Sequence, residues 1–293
     1  MMDIDRYQRA TRETVQNPSH GDEKIVALLG LAGEAGELIS EYKKHLRDGE
    51  AHRLFPVRVR EELGDLLWYI ARTADLFGIP LSEVAEENLL KTKGRWGKPE
   101  DQPALLAARP FDENFPEAER IPRRMRVELR EVEHGERRVI HTFVDGVRAG
   151  DHLTDNSYVS DGYRFHDVFH FSYAAVLGWG PIVRVILQRK RRSDLEVDEV
   201  QDGGRAKVID EGVSALVFAY AREHNWLEGV QSVDRDLLRT IQKMTSHLEV
   251  AACTTREWES AILQGYEVWR AINRQIGGAF IVDLDERTIS LDQ

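Results

Sequence analysis

The chain has 293 residues, longer than the usual single domain, so two domains are expected. With 42% hydrophobic and 31% charged residues the composition supports a folded core, and a net charge of −11 argues against general binding to nucleic acid or an anionic membrane. The lone cysteine, Cys253, excludes an intrachain disulfide and a cysteine-rich zinc site and suits a reducing cytoplasm. The start, MMDIDRYQRATRE, lacks the apolar run of a secretion signal, and no stretch approaches the ~18 apolar residues of a membrane span.

In chain order, Asp3 or Asp5 can cap a first helix through RYQRATRETV. After a loop with Pro18 and Gly21, EKIVALLGLAGEAGELISEYKKHL reads as a long helix ending near Asp48-Gly49. A third helix follows Pro56 and stops at Gly78, and Pro80 and Ser82 open a fourth, LSEVAEENLLKTKGRW. Residues 1–96 are therefore expected to form a small four-helix bundle. Five of the nine prolines fall within residues 97–122, which read as a linker ordered in part by Phe111 and Phe115. From residue 123 the pattern changes. Val127, Leu129 and Val132 suggest a strand, Gly135 a turn, and Val139 to Val144 a return strand. The tail GGAFIVDLDERTISLD suggests a second hairpin, and the two hairpins are expected to pair into one antiparallel sheet. Residues 160–275 are again mainly helical. The expected fold is mainly α: the bundle, then a C-terminal helical domain at 123–293 with a small antiparallel sheet.

The segments EELGDLLWYIARTADLFG and DEGVSALVFAYAREHNWL are alike, and FHDVFHFSYAAVLGW stands where GEAGELISEYKK stands in the first half. The C-terminal half could thus be a diverged copy of the bundle with an insertion at 188–206.

Chemistry-bearing residues concentrate on two helices. Glu34 and Glu37 stand at i and i+3 among small residues, and Glu62 and Asp65 repeat the spacing inside an apolar run. Such pairs share a helix face. Acids spaced this way usually lie on a solvated stripe, but Leu31, Leu38, Leu66 and Tyr69 share these faces. Carboxylates crowded against apolar neighbours repel one another and lose hydration unless a cation compensates. An all-oxygen donor set suits Mg²⁺ or Mn²⁺. Asn88, Lys91 and Arg95 lie along one face of the fourth helix, where cations suit a polyphosphate, although a basic helix end is also favoured by the helix dipole.

Taken together, GEAGEL, REELGDLLWYI and NLLKTKGRW resemble the MazG-type nucleotide pyrophosphohydrolases of the all-α NTP pyrophosphatase superfamily, over about residues 20–96. The resemblance implies conversion of a nucleoside triphosphate and water to a monophosphate and pyrophosphate, with a role in nucleotide-pool control. It implies that Glu34, Glu37, Glu62 and Asp65 hold Mg²⁺, that one of them or Glu41 or Glu61 orients the attacking water, and that Asn88, Lys91 and Arg95 hold phosphates. Trp68, Tyr69 and Trp96 could stack a base or simply pack. Members typically pair bundles, so the chain is expected to be an internal pseudo-dimer or a homo-oligomer.

The second half departs from this pattern. His166 and His170 lie one helical turn apart, and Glu211 and Ser214 replace Glu62 and Asp65. His166, Asp167, His170, Asp210 and Glu211 could form a second metal or nucleotide site, which leaves open a nucleotide-sensing regulator or a hydrolase centred there; a decayed repeat is the plainer account. The run Arg189, Lys190, Arg191, Arg192 reads as a charge-paired loop.

Overall fold

The computed structural model describes residues 2–15, 22–96, 110–135 and 137–292; the side chains of Leu90, Lys91, residues 93–96 and Arg137 lie outside the description. The chain divides into two compact units, 1–93 and 94–293.

The first unit is helical: α1 (Ile4–Thr11), α2 (Glu23–Asp48), α3 (Phe55–Leu76) and α4 (Leu81–Trp96). Local chemistry sets the ends. The Asp3 carboxylate accepts from the Arg6 amide at 2.7 Å and that of Asp22 from the Lys24 amide at 2.9 Å, satisfying N–H groups that each helix start leaves bare. At the end of α2, Gly49 adopts φ +55°, which glycine accepts without strain. The Gln8 side chain of α1 donates to Ile79 O at 3.0 Å and accepts from Leu81 N at 2.8 Å, so α1 closes the turn into α4. Among the described residues the buried apolar cluster is small: Ala71, Ala74 and Leu81, with Tyr7 packed on it. Large apolar side chains remain exposed, among them Ile25, Leu29, Ile39 and Leu46 along one side of α2.

The second unit holds a five-stranded antiparallel sheet in the order β3-β2-β1-β4-β5, with β1 Arg124–His134, β2 Arg137–Val144, β3 Val147–Leu153, β4 Gly277–Asp283 and β5 Thr288–Leu291. Alternation along β1 buries Met125, Val127 and Leu129, and β1 pairs with β4 in the register Val127 opposite Phe280. The two expected hairpins do form one sheet; β3 is added by a turn at Asp145-Gly146 that the sequence reading passed over.

Helices α5 (Asp167–Leu177), α6 (Pro181–Ile186), α7 (Leu195–Val200), α8 (Gly204–Glu223), α9 (Arg235–Thr245) and α10 (Thr255–Gln275) complete the unit. Every residue of α5 is buried, and the helix packs along α10 and against β4 and β5. Trp179, Trp258, Trp269 and Tyr266 fill the space around it. In the first unit α2 lies along α3, whereas α5 has α10 as its main neighbour.

Residues 97–109 of the expected linker lie outside the described residues. Residues 110–122 are tied to the second unit: Phe111, expected to order part of this stretch, packs on its core, and buried Asp112 accepts from the Ile121 amide, Arg123 and Arg184 at 2.8–2.9 Å. The basic run is likewise built in. Arg191, 1% exposed, pairs with Asp202 at 2.7 Å and Glu249 at 2.8 Å, and Lys190 pairs with Asp198 at 2.5 Å. Among the described residues no helix is long and apolar enough to cross a membrane.

Candidate functional site

Helices α2 and α3 run antiparallel: Glu23 meets Arg72 at 2.5 Å, Gly30 faces the Tyr69 ring, and Glu34 faces Glu62 and Asp65. Gly30 matters for this approach, because a Cβ there would run into that ring. One carboxylate oxygen from each of Glu34, Glu62 and Asp65 lies within 4.8 Å of the others, with Glu34 and Glu62 half-buried and Asp65 exposed. The sequence spacing put two of these on one helix; only the helix pairing brings the third against them.

The converging acids act on Glu62. The Glu62 carboxyl is held above its ordinary pKa, first by desolvation and then by Glu34, Asp65, Glu37 and Glu41. A divalent cation would reverse the sign of that interaction, and the all-oxygen set fits a hard ion such as Mg²⁺. Glu37, exposed, acts on Glu62 electrostatically but stands outside the converging three.

Two other carboxylates considered from sequence are engaged elsewhere. Buried Glu41 binds Lys44 and lies 3.4 Å from His52, while Glu61 pairs with Arg58 at 2.7 Å. Asn88 is exposed on α4; the side chains of Lys91, Arg95 and Trp96 lie outside the described residues.

Farther along the same helix pair is a cavity of about 290 Å³ lined by Ala27, Trp68, Tyr69, Arg72 and Thr14 among others. Ala27 is seven residues from Glu34, about 10 Å along the helix. Trp68 donates to Thr14 Oγ1 at 2.8 Å, tying the segment after α1 to α3. Neither Thr14 nor Arg72 carries a motif, so sequence reading had no signal for them.

The second unit has its own cluster. His166, His170 and Glu211 each offer a ligand atom within 4.8 Å of the others. Asp167 is not among them, since its carboxylate accepts from buried Thr142 of β2 at 2.7 Å. Asp210 stands behind His170, with Oδ1 2.7 Å from Nδ1 and Oδ2 accepting the Ile182 amide at 3.1 Å. Burial opposes a charge on His170, but Asp210 and Glu211 raise its pKa to about 10. On His166, burial and then neighbouring His170 hold the pKa below the ordinary value.

A helical domain whose paired helices bring acidic side chains together, joined to an α+β unit with a separate site, is the class that fold and geometry define. The family model for the MazG nucleotide pyrophosphohydrolase domain matches residues 23–98, and that for the MazG C-terminal domain matches residues 106–293. The chain belongs to the MazG family. Gene 37 protein of Mycobacterium phage L5 is 39% identical over 101 residues, which is 32% of this chain and 89% of that protein. No solved structure matches the chain.

Proposed function

We propose that the first unit is a Mg²⁺-dependent nucleoside triphosphate pyrophosphohydrolase, releasing monophosphate and pyrophosphate, and that it serves control of the nucleotide pool. The observation that carries this is the convergence of Glu34, Glu62 and Asp65 within 4.8 Å inside a MazG nucleotide pyrophosphohydrolase domain. These three carboxylates would hold the ion. Bound there, Mg²⁺ supplies charge neutralisation and polarisation of the phosphate oxygens. Glu37 is the remaining acid of the group and carries no hydrogen bond among the described residues, so we assign it to orient the water that attacks the α-phosphorus. Asn88, Lys91 and Arg95 bind the remaining phosphate oxygens. The cavity beside Trp68, Tyr69 and Arg72 takes the nucleoside, with an aromatic wall for the base.

The exposed side of α2 supports a homo-oligomer. Ile25, Leu29, Ile39 and Leu46 are 55%, 67%, 61% and 67% exposed and lie on the helix face turned away from Glu34. An apolar stripe of this length calls for a cover, and a second copy of the same unit supplies a matching one. Glu62→Gln in the full chain tests the catalytic reading: pyrophosphate release should fall at least ~100-fold with the fold intact. Turnover equal to wild type would remove Glu62 from the site.

A further inference from the structure

We propose that the second unit binds a divalent transition-metal ion of the zinc type through His166 Nε2, His170 Nε2 and a Glu211 carboxylate oxygen, with further coordination positions open to solvent. The first argument is tautomeric. His166 Nδ1 lies 2.8 Å from the Tyr163 carbonyl oxygen, which can only accept, so Nδ1 carries the proton. His170 Nδ1 lies 2.7 Å from Asp210 Oδ1 and donates in the same way. Each ring is therefore fixed through one nitrogen, with the other turned to the site; in the empty site Asp210 and Glu211 favour a proton on His170, and a bound ion takes the place of that proton on Nε2. Histidine metal ligands are held like this, by a carbonyl or carboxylate on the far nitrogen.

The second argument is the orphaned atom. His170 is 0% exposed, yet its Nε2 makes no hydrogen bond. A buried polar atom without a hydrogen-bond partner is unfavourable, so one left unmet in a well-packed core asks for a ligand. That atom is aimed at Glu211, 3.5 Å away, and His166 Nε2 lies 3.7 Å from the same oxygen. Metal–ligand bonds of about 2.0–2.2 Å at a tetrahedral angle set donor atoms roughly 3.3–3.5 Å apart. The two observed separations from the Glu211 oxygen are close to that, and this long ion pair is the contact His170 Nε2 makes.

The surrounding structure holds the donors in place. The Ile182 amide fixes Asp210, and the Tyr163 ring stacks on His166 with centroids 4.4 Å apart. Upstream, Gly162 at φ +88° admits the turn into Tyr163, and Trp269 Nε1 donates to the Gly162 carbonyl at 3.1 Å. Two imidazoles select a transition ion over Mg²⁺, so this site and the three-carboxylate site divide the cations by chemistry. Three protein ligands leave at least one position for water or another ligand, and the Glu211 side chain, 45% exposed, marks the solvent side.

The test is metal retention by the full chain. Stripped protein is exposed to Zn²⁺, or Co²⁺ for its absorption spectrum, in a large excess of Mg²⁺, and bound metal is counted after gel filtration. Wild type and Glu62→Ala should each retain one equivalent, with a Co²⁺ spectrum of nitrogen-containing coordination. Glu211→Gln, a near-isosteric change at a half-exposed position, should weaken retention about 100-fold or more, as should His166→Gln. No retained ion in wild type, full retention by Glu211→Gln, or loss in Glu62→Ala alone would each overturn the assignment. Should His166→Gln fail to fold, Glu211→Gln still decides.

Discussion

Replacing Asp112 by alanine should destabilise the second unit strongly, although the residue lies in a stretch that reads as linker. Its carboxylate accepts from the Ile121 amide at 2.8 Å, Arg123 at 2.8 Å and Arg184 at 2.9 Å, while Arg184 is 1% exposed. Alanine leaves that guanidinium buried with Asp202 at 3.5 Å as its remaining carboxylate. Removing one partner of a buried pair costs about 3–5 kcal/mol. For a unit of this size that corresponds to roughly 6–20 °C in melting temperature. Near-UV circular dichroism reads the unit through buried Trp179, Trp258 and Trp269. The pH dependence has a definite sign. Burial alone would raise the Asp112 carboxyl, but the Ile121 amide, Arg123 and Arg184 hold it below the ordinary value. Its contribution is thus complete above about pH 4, the unfolded value, and is lost as pH falls through the lowered folded value. Asp112→Asn should remove that acid-dependent part and melt between wild type and Asp112→Ala. A shift under about 2 °C for Asp112→Ala would refute the claim that this segment is tied into the unit.

Three further outcomes are expected. Leu29→Glu combined with Ile39→Glu should dissociate an oligomer to monomer in sedimentation velocity, with helix content unchanged; an unchanged sedimentation coefficient would place the interface elsewhere. Lys91→Ala should raise KM more than it lowers kcat, about tenfold or more for loss of one charge-assisted phosphate contact; a pure kcat effect would contradict a phosphate-holding role. Arg72→Ala should weaken nucleotide affinity without changing Mg²⁺ affinity, measured by calorimetry; equal nucleotide affinity would separate the cavity from the site.

Helix boundaries in the first unit were legible because their signals are local. Asp3 and Gly49 act within a residue or two of themselves, so reading them needs no tertiary knowledge. The hairpins at 124–144 and 277–291 were legible for the same reason: alternation and a short turn define each. Their pairing, β1 with β4, joins segments about 150 residues apart, and no local signal in the sequence marks it. The β3 strand, VRAGDHL, was hidden because Gly150 and mixed polarity break the alternation. At the first site the acids were readable by spacing, but the separation of Glu37 from the other three depends on how α2 rotates against α3. At the second, the histidines were visible and Asp167 was misplaced among them, because only the fold brings Thr142 of β2 to its carboxylate. Arg191 shows the limit in part: the run of four basic residues reads as a charge-paired loop, which its pairing with nearby Asp202 fits, but its burial and its second partner, Glu249, depend on the fold.

The most direct test of the central claim is product analysis. The purified full chain is incubated with each common ribo- and deoxyribonucleoside triphosphate, with Mg²⁺ and with chelator, and products are separated by anion exchange. Monophosphate and pyrophosphate in equal amounts, formed with Mg²⁺ and abolished by chelator, is the predicted result. Diphosphate with orthophosphate, or the same turnover in chelator, would contradict it.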